Sequence, residues 1–266
     1  MPLTIYALAR GNSPANHEGW ASPTVIACFA VAAAAFAFFI VTELRNPAPL
    51  LQIRLLGERN FGVSMSVLTL FAVGMLGGTY LLPLYMQRGL DYTALMAGSV
   101  FLPVGLIQGV LSAVSGYMTR YVKPLLLVVA GILVMALSFW LASRFTLHTT
   151  HRHILFVLYL RGLGMGLTFA PLNLFSLKNL TQEDMAAAAG ISNSIKQLAG
   201  SFGIAILTAV LAARTAYHTA HETLPAAQTY VEGVTDALSV VVWLTLTSAV
   251  PLVWVLLKRK KREKTG

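Results

Sequence analysis

The sequence predicts an all-α integral membrane protein of seven transmembrane helices, one helix standing ahead of a six-helix bundle. Two observations carry that class. Hydrophobic residues make up 56% of the 266 and charged ones 11%, against about 45–50% and about 25% in ordinary soluble domains. Seven apolar runs, near residues 22–42, 61–86, 94–118, 124–143, 154–176, 191–213 and 237–257, each reach the roughly 20 residues that cross about 30 Å of hydrocarbon as a helix.

Residues 1–21, MPLTIYALARGNSPANHEGWA, lack the basic start and small-residue cleavage site of a signal peptide. LTIYALARG reads as the tail of a helix whose beginning is absent, so this outer segment is expected to be the remnant of a preceding span in a truncated chain. Residues 22–42 follow as a linker transmembrane helix. In segment 43–60, Pro47 and Pro49 break the chain. Leu50, Leu51, Ile53, Leu55 and Leu56 then fit a short helix lying flat in the cytoplasmic interface, with Arg54 and Arg59 on its wet side. From 61 to 257 six runs succeed one another through tight loops carrying Pro, Gly, Asn and Asp, which predicts the bundle. Residues 258–266 hold the basic tail KRKKREK. Directly after a span it reads as a stop-transfer anchor on anionic membrane lipid, not as a nucleic-acid patch.

Charge sets the orientation. With the carboxyl end inside, the inner segments hold thirteen basic residues: Arg45, Arg54, Arg59, Arg120, Lys123, Lys178, Lys196 and the six of the tail. Five lie outside, Arg10, Arg88, Arg144, Arg152 and Arg214, and Arg161 falls within a span. The positive-inside rule therefore places the amino end outside and the carboxyl end in the cytoplasm, as a multi-pass protein of a cytoplasmic (inner) membrane. The excess of positive charge reports orientation, and no nucleic acid is expected as partner. Cys28 is the one cysteine and cannot form an intramolecular disulfide. The histidines, among them His148, His151, His153, His218 and His221, sit in outer segments with no Cys or Asp beside them, so no metal site and no cofactor are expected.

Six stretches occur in a fixed order: GWASPTV, NPAPLLQIRLLGERNF, TYLLPLYMQ, AGSVFLPVGLIQG, RGLGMGLTFAPL and NSIKQLAGSFGIAI. In that order the chain resembles the carboxyl half of the fourteen-span drug:proton antiporters, the EmrB/QacA-type branch of the major facilitator superfamily, from the end of the seventh span to the terminus. The resemblance implies two six-helix bundles rocking about a midplane cavity with two linker spans between them, of which this chain carries one bundle and one linker. It implies multidrug efflux by proton antiport in a full-length parent, small amphipathic or cationic drug-like molecules and protons as cargo, a missing amino-terminal bundle as partner, and a periplasmic adaptor as a further partner. The chain alone is expected to be inactive. Two positions depart from the family. Arg120 in GYMTRYVKP stands where the family's Gly-x-x-x-Asp-Arg loop has its aspartate, which removes a carboxylate-based gate there, and Lys196 replaces an arginine.

The candidate site residues follow from the spans. Arg161 lies about seven residues into its run, roughly 10 Å below the outer boundary. An arginine at mid-span costs about 2.5–3.5 kcal/mol on insertion scales and is normally turned to the bundle interior or to water. Two readings stand: snorkelling to headgroups, or a place on the cavity wall or interdomain face. None of the ten Asp and Glu residues falls inside a run, so Arg161 must bond carbonyls, amides or water, or an acid supplied from elsewhere. Gly162, Gly164 and Gly166 flank it, and Gly162-x-x-x-Gly166 has the spacing that lets helices approach closely. Gly200 and Gly203 are assigned to packing as well. Pro83, Pro103 and Pro171 each remove a backbone hydrogen bond and mark bend points. Tyr85, Gln87, Gln108, Asn173, Asn193 and Gln197 are the polar candidates for lining a transport path, each with an alternative reading as helix-to-helix glue worth roughly 0.6 kcal/mol.

Two rival classes fare worse. A seven-span receptor or sensor would share the topology, but no run holds the mid-span lysine of a retinal protein and no cysteine pair ties an outer loop. An intramembrane enzyme would need paired aspartates, HExxH or an activated serine, and the runs offer neither of the first two. The chain is read as a transporter part and not as an enzyme.

Overall fold

A computed structural model describes residues 53–221 and 225–255, together with eight positions between 23 and 42, all helical. The outer segment 1–21, most of the linker helix 22–42, the first part of the segment 43–60 and the tail 258–266 lie outside the described residues. A 3₁₀ turn, Ile53–Gly57, leads into α1 (Arg59–Gly89), α2 (Ala94–Ser99), α3 (Leu102–Met118), α4 (Pro124–Ala142), α5 (His151–Leu177), α6 (Asp184–His221) and α7 (Ala226–Thr247). After α7 a turn at Ser248 and Ala249 leads into further helix to Val255 in the same span, and α2 with α3 makes one span. Six helical segments among the described residues are thus long and apolar enough to cross a membrane, and no strand occurs among them.

Local chemistry sets the boundaries. Asp91 turns the chain after α1 with a φ of 55°, a left-handed conformation that Asp tolerates better than most residues. Thr93 then caps α2, its hydroxyl accepting from the Met96 amide at 3.2 Å. The span breaks at Val100 and Phe101, and Pro103 enters the first turn of α3, where its missing N–H costs no helical bond. Pro83 and Pro171 lie inside α1 and α5, so the carbonyls four residues earlier, of Thr79 and Leu167, lose their helical donors. Both ends of the α6–α7 hairpin outrun their apolar stretches. The run Ala186–Ala189 favours helix at the start of α6, and Val231 and Val234, both buried, keep α7 wound before its apolar run begins.

The helices pack as two interlocked triplets. α1 packs against α6 and α7, α5 packs against α3 and α4, and contacts of α1 with α5 and α4 with α7 join the two groups. Taken in chain order as two sets of three consecutive spans, the first helix of each set therefore packs on the last two of the other. α1 and α5 run antiparallel: Asn179 donates to Glu58 at 3.0 Å at one end, and Tyr92 and His151 meet at 3.1 Å at the other. Phe61, Phe71, Ile132, Phe139, Leu158 and Val241 are fully buried in the core.

Candidate functional site

Arg161 is held at the middle of the bundle. Its side chain is 1% exposed. Nη2 donates to the Met75 carbonyl at 3.1 Å and to the Thr79 hydroxyl, while the guanidinium carbon stands 5.2 Å from the centroid of the Phe139 ring. Nη1 has no hydrogen-bond partner among the described residues. Thr79 is also the residue whose carbonyl Pro83 deprives of a donor, so the cation grips α1 at its weakest turn. The sequence supplied the arginine but not its acceptors, which lie on another helix.

The glycines beside Arg161 serve two opposite neighbours. A Cβ on Gly162 would meet the Val104 carbonyl at 3.0 Å and one on Gly166 the Leu111 Cβ at 2.7 Å, both on α3. A Cβ on Gly164 would meet the Met135 amide nitrogen at 2.9 Å and the Gly131 carbonyl at 3.0 Å, both on α4. The other triplet repeats this on α6, where Gly203 lies against the Val73 backbone and Gly200 against the Leu76 side chain of α1. Ser115 spans the α3–α5 contact, its hydroxyl donating to the Gly166 carbonyl at 2.7 Å.

The polar candidates separate into three places. Tyr85 is fully buried, stacked on Phe145 with centroids 5.1 Å apart, and its hydroxyl donates to the Thr146 carbonyl at 2.7 Å. That ties the end of α1 to the α4–α5 connection. Gln87 is exposed one turn from the end of α1, and Gln108 is half-buried in mid-α3. Asn173 on α5 and Asn193 and Gln197 on α6 are exposed toward the end at which α6 begins. None of these five amides makes a side-chain hydrogen bond among the described residues.

Lys196 is the residue that spacing did not bring forward. Counted by sequence with the inner charges, it lies in the interior of α6, half-buried, with Nζ 6.0 Å from the centroid of Phe169 on α5. Phe169 in turn meets Phe71 of α1 edge to face at 5.8 Å. Removing Lys196 from the loop charges leaves twelve inner basic residues against five, so the charge asymmetry persists. A run-based signal was present in its position five residues inside 191–213.

The spans are covered unequally. Within an 18-residue apolar stretch of each span, half or more of the residues of α1, α4 and α5 are buried, but only 17% in the span of α2 and α3 and 28% in that of α6. Leu102, Leu106, Val110 and Phe202 are among the large apolar side chains left uncovered there.

Comparison with known proteins gives one consistent family. The profile of the Major Facilitator Superfamily matches residues 6–204. An MFS-type transporter of Bacillus subtilis, YhcA, is 28% identical over 80% of this chain and 40% of its own length. The puromycin resistance protein pur8 of Streptomyces alboniger is 31% identical over 98% of the chain and 53% of its own length. The multidrug export protein EmrB of Escherichia coli K12 is 31% identical over 77% of the chain and 40% of its own length. The chain thus spans about half, or less, of the length of these relatives.

Proposed function

The chain belongs to the Major Facilitator Superfamily, and we propose that its six-helix bundle is one of two that close around the cargo of a proton-coupled exporter of small amphipathic or cationic antibiotics. The observation that carries this is the face of α3 and α6. It combines uncovered apolar side chains with Gln108, Asn193 and Gln197, whose amides make no side-chain hydrogen bond among the described residues. In hydrocarbon such amides would stay unsatisfied at a cost of several kcal/mol. Against a second bundle, with water or cargo between, they acquire partners. The interlocked triplets fit this reading, since inverted three-helix repeats are the usual architecture of a half-transporter in this superfamily.

In this reading the amino end is outside, the carboxyl end is cytoplasmic, and the Phe71–Phe169–Lys196 cluster with the amides of α6 forms part of one cavity wall. Relatives described as puromycin resistance and multidrug export proteins support the cargo class. Proton coupling needs a group that changes charge within the membrane. The six apolar runs hold no carboxylate, and Glu232 and Asp236, which stand on α7 ahead of its run, pair with His218; in this reading the coupling group belongs to the partner bundle.

Two measurements test the reading. The 266-residue chain reconstituted alone should not move ethidium against its gradient under a pH difference. Joined to an amino-terminal bundle, it should extrude ethidium from cells lacking other pumps, and dissipating the pH gradient should stop it. Extrusion by the chain alone would refute the need for a second bundle, and extrusion indifferent to the gradient would refute antiport.

A further inference from the structure

A second site lies away from the α3–α6 face. At the junction of the last turn of α1, the second half of α6 and the first turns of α7, a groove of about 610 Å³ is lined by Arg88, Leu211, Ala212, Thr215, Ala216 and Tyr230, among others. That volume is in the range of small-ligand sites. Its chemistry is divided along its length. Thr208, Leu211, Ala212, Thr215, Ala216, Thr219 and Ala220 follow one face of α6 at helical spacing and extend roughly 18 Å from the end of the helix toward its middle.

Arg88 stands at the mouth. It is exposed, its guanidinium carbon lies 5.6 Å from the centroid of the Tyr230 ring, and no carboxylate pairs with it among the described residues. The acids nearest in sequence on α7 are engaged elsewhere. Asp236 meets His218 at 3.1 Å and Arg214 at 3.8 Å, and Glu232 meets His218 at 3.5 Å. The Tyr230 hydroxyl is enclosed beside the Arg88 guanidinium, and the Thr215 hydroxyl, which faces Gly233 of α7, is enclosed without a hydrogen-bond partner among the described residues. Buried hydroxyls in native structures are normally paired, and an unpaired one calls for a group to meet it.

We propose that this groove binds one anionic phospholipid, with its phosphate on Arg88 and an acyl chain along the alanine face of α6. The head lies where α1 and α6 end and α7 begins, the level at which an arginine reaches the interface. The tail then points toward mid-span, as an acyl chain does. A phosphate that draws Arg88 off the Tyr230 ring uncovers the phenol hydroxyl and gives it an acceptor. Electrostatics favours an anionic over a zwitterionic headgroup, because a basic side chain near the surface contributes about 1 kcal/mol, or roughly fivefold.

Native mass spectrometry of the full chain, released from micelles doped with equal amounts of phosphatidylglycerol, phosphatidylcholine of the same acyl chains and free oleate, tests the assignment. The wild type should retain one phosphatidylglycerol about fivefold more than either competitor. Arg88→Gln should retain phosphatidylglycerol no better than phosphatidylcholine, Arg88→Lys should keep the preference in part, and Ala216→Trp, which fills the groove, should lower retention of both phospholipids with an unchanged helical circular-dichroism spectrum. Equal retention of the two phospholipids by the wild type, or a preference undiminished in Arg88→Gln, overturns the site. Preferred retention of oleate overturns the phospholipid in favour of a free carboxylate amphiphile. Should Ala216→Trp lose its helical spectrum, the Arg88 pair alone decides, since that side chain is exposed.

Discussion

Arg161 and Met75 stand on antiparallel helices, and Nη2 of the first donates to the main-chain carbonyl of the second at 3.1 Å. The partner of the one arginine inside an apolar run is therefore backbone and hydroxyl, with no acid opposite. A cation so placed fixes the distance between α5 and the turn of α1 that precedes Pro83, and any rocking of one helix on the other must carry or break this grip.

Replacing Arg161 separates packing from transport. Arg161→Met fills much of the same volume without a charge, and exchange of a buried ion for an apolar group of like size is often neutral or stabilising. Thermal unfolding in detergent should therefore stay within about 1 kcal/mol of the wild type, while Arg161→Ala, which leaves a hole beside Phe139, should fall by about 2 kcal/mol or more. Ethidium extrusion by the two-bundle protein at matched abundance should drop in both. Arg161→Lys retains the charge without the planar fork and should recover only part of the activity. Extrusion at the wild-type level in Arg161→Met would assign the arginine to packing alone.

At Gly164 the neighbours of an added Cβ are main-chain atoms of Met135 and Gly131 at 2.9 and 3.0 Å, which cannot rotate away. Gly164→Ala should thus part α4 from α5 and lower stability by about 1–3 kcal/mol. Gly105→Ala and Gly109→Ala, where nothing lies within 4 Å, should be neutral or slightly stabilising in the same unfolding assay. Equal melting of all three would refute the close crossing.

The amides on α6 should matter to cargo and not to the fold. Asn193→Leu and Gln197→Leu alter exposed side chains, so stability should change by no more than about 0.5 kcal/mol. Dye extrusion by the two-bundle protein should fall, and most for cationic dyes. Unaltered extrusion of ethidium in the double variant would remove both from the transport path.

Orientation can be read by labelling. In a Cys28-free background, single cysteines at positions 148–152 and 218–228 should react with an impermeant maleimide in intact cells, and one at position 262 only after permeabilisation. Labelling of position 262 in intact cells would invert the topology.

Length and hydropathy are local quantities, and for that reason the sequence by itself determined the membrane class, the six described spans and the presence of an arginine in mid-span. Twenty apolar residues have one way to cross hydrocarbon, as a helix with its backbone bonds satisfied internally. Which face of each helix meets which neighbour was decided only in three dimensions. Lipid tails are as apolar as leucine, so a spanning helix is hydrophobic all round and carries little of the amphipathic pattern that points a soluble helix toward its core. Hence Gly162 and Gly166 could be paired by their spacing, but that α3 covers them while α4 covers Gly164 follows from the packing of the triplets. The bond from Arg161 to the turn at Met75 and Thr79, and the reach of Lys196 across to Phe169, join residues far apart along the chain, and no pattern within either run specifies its partner.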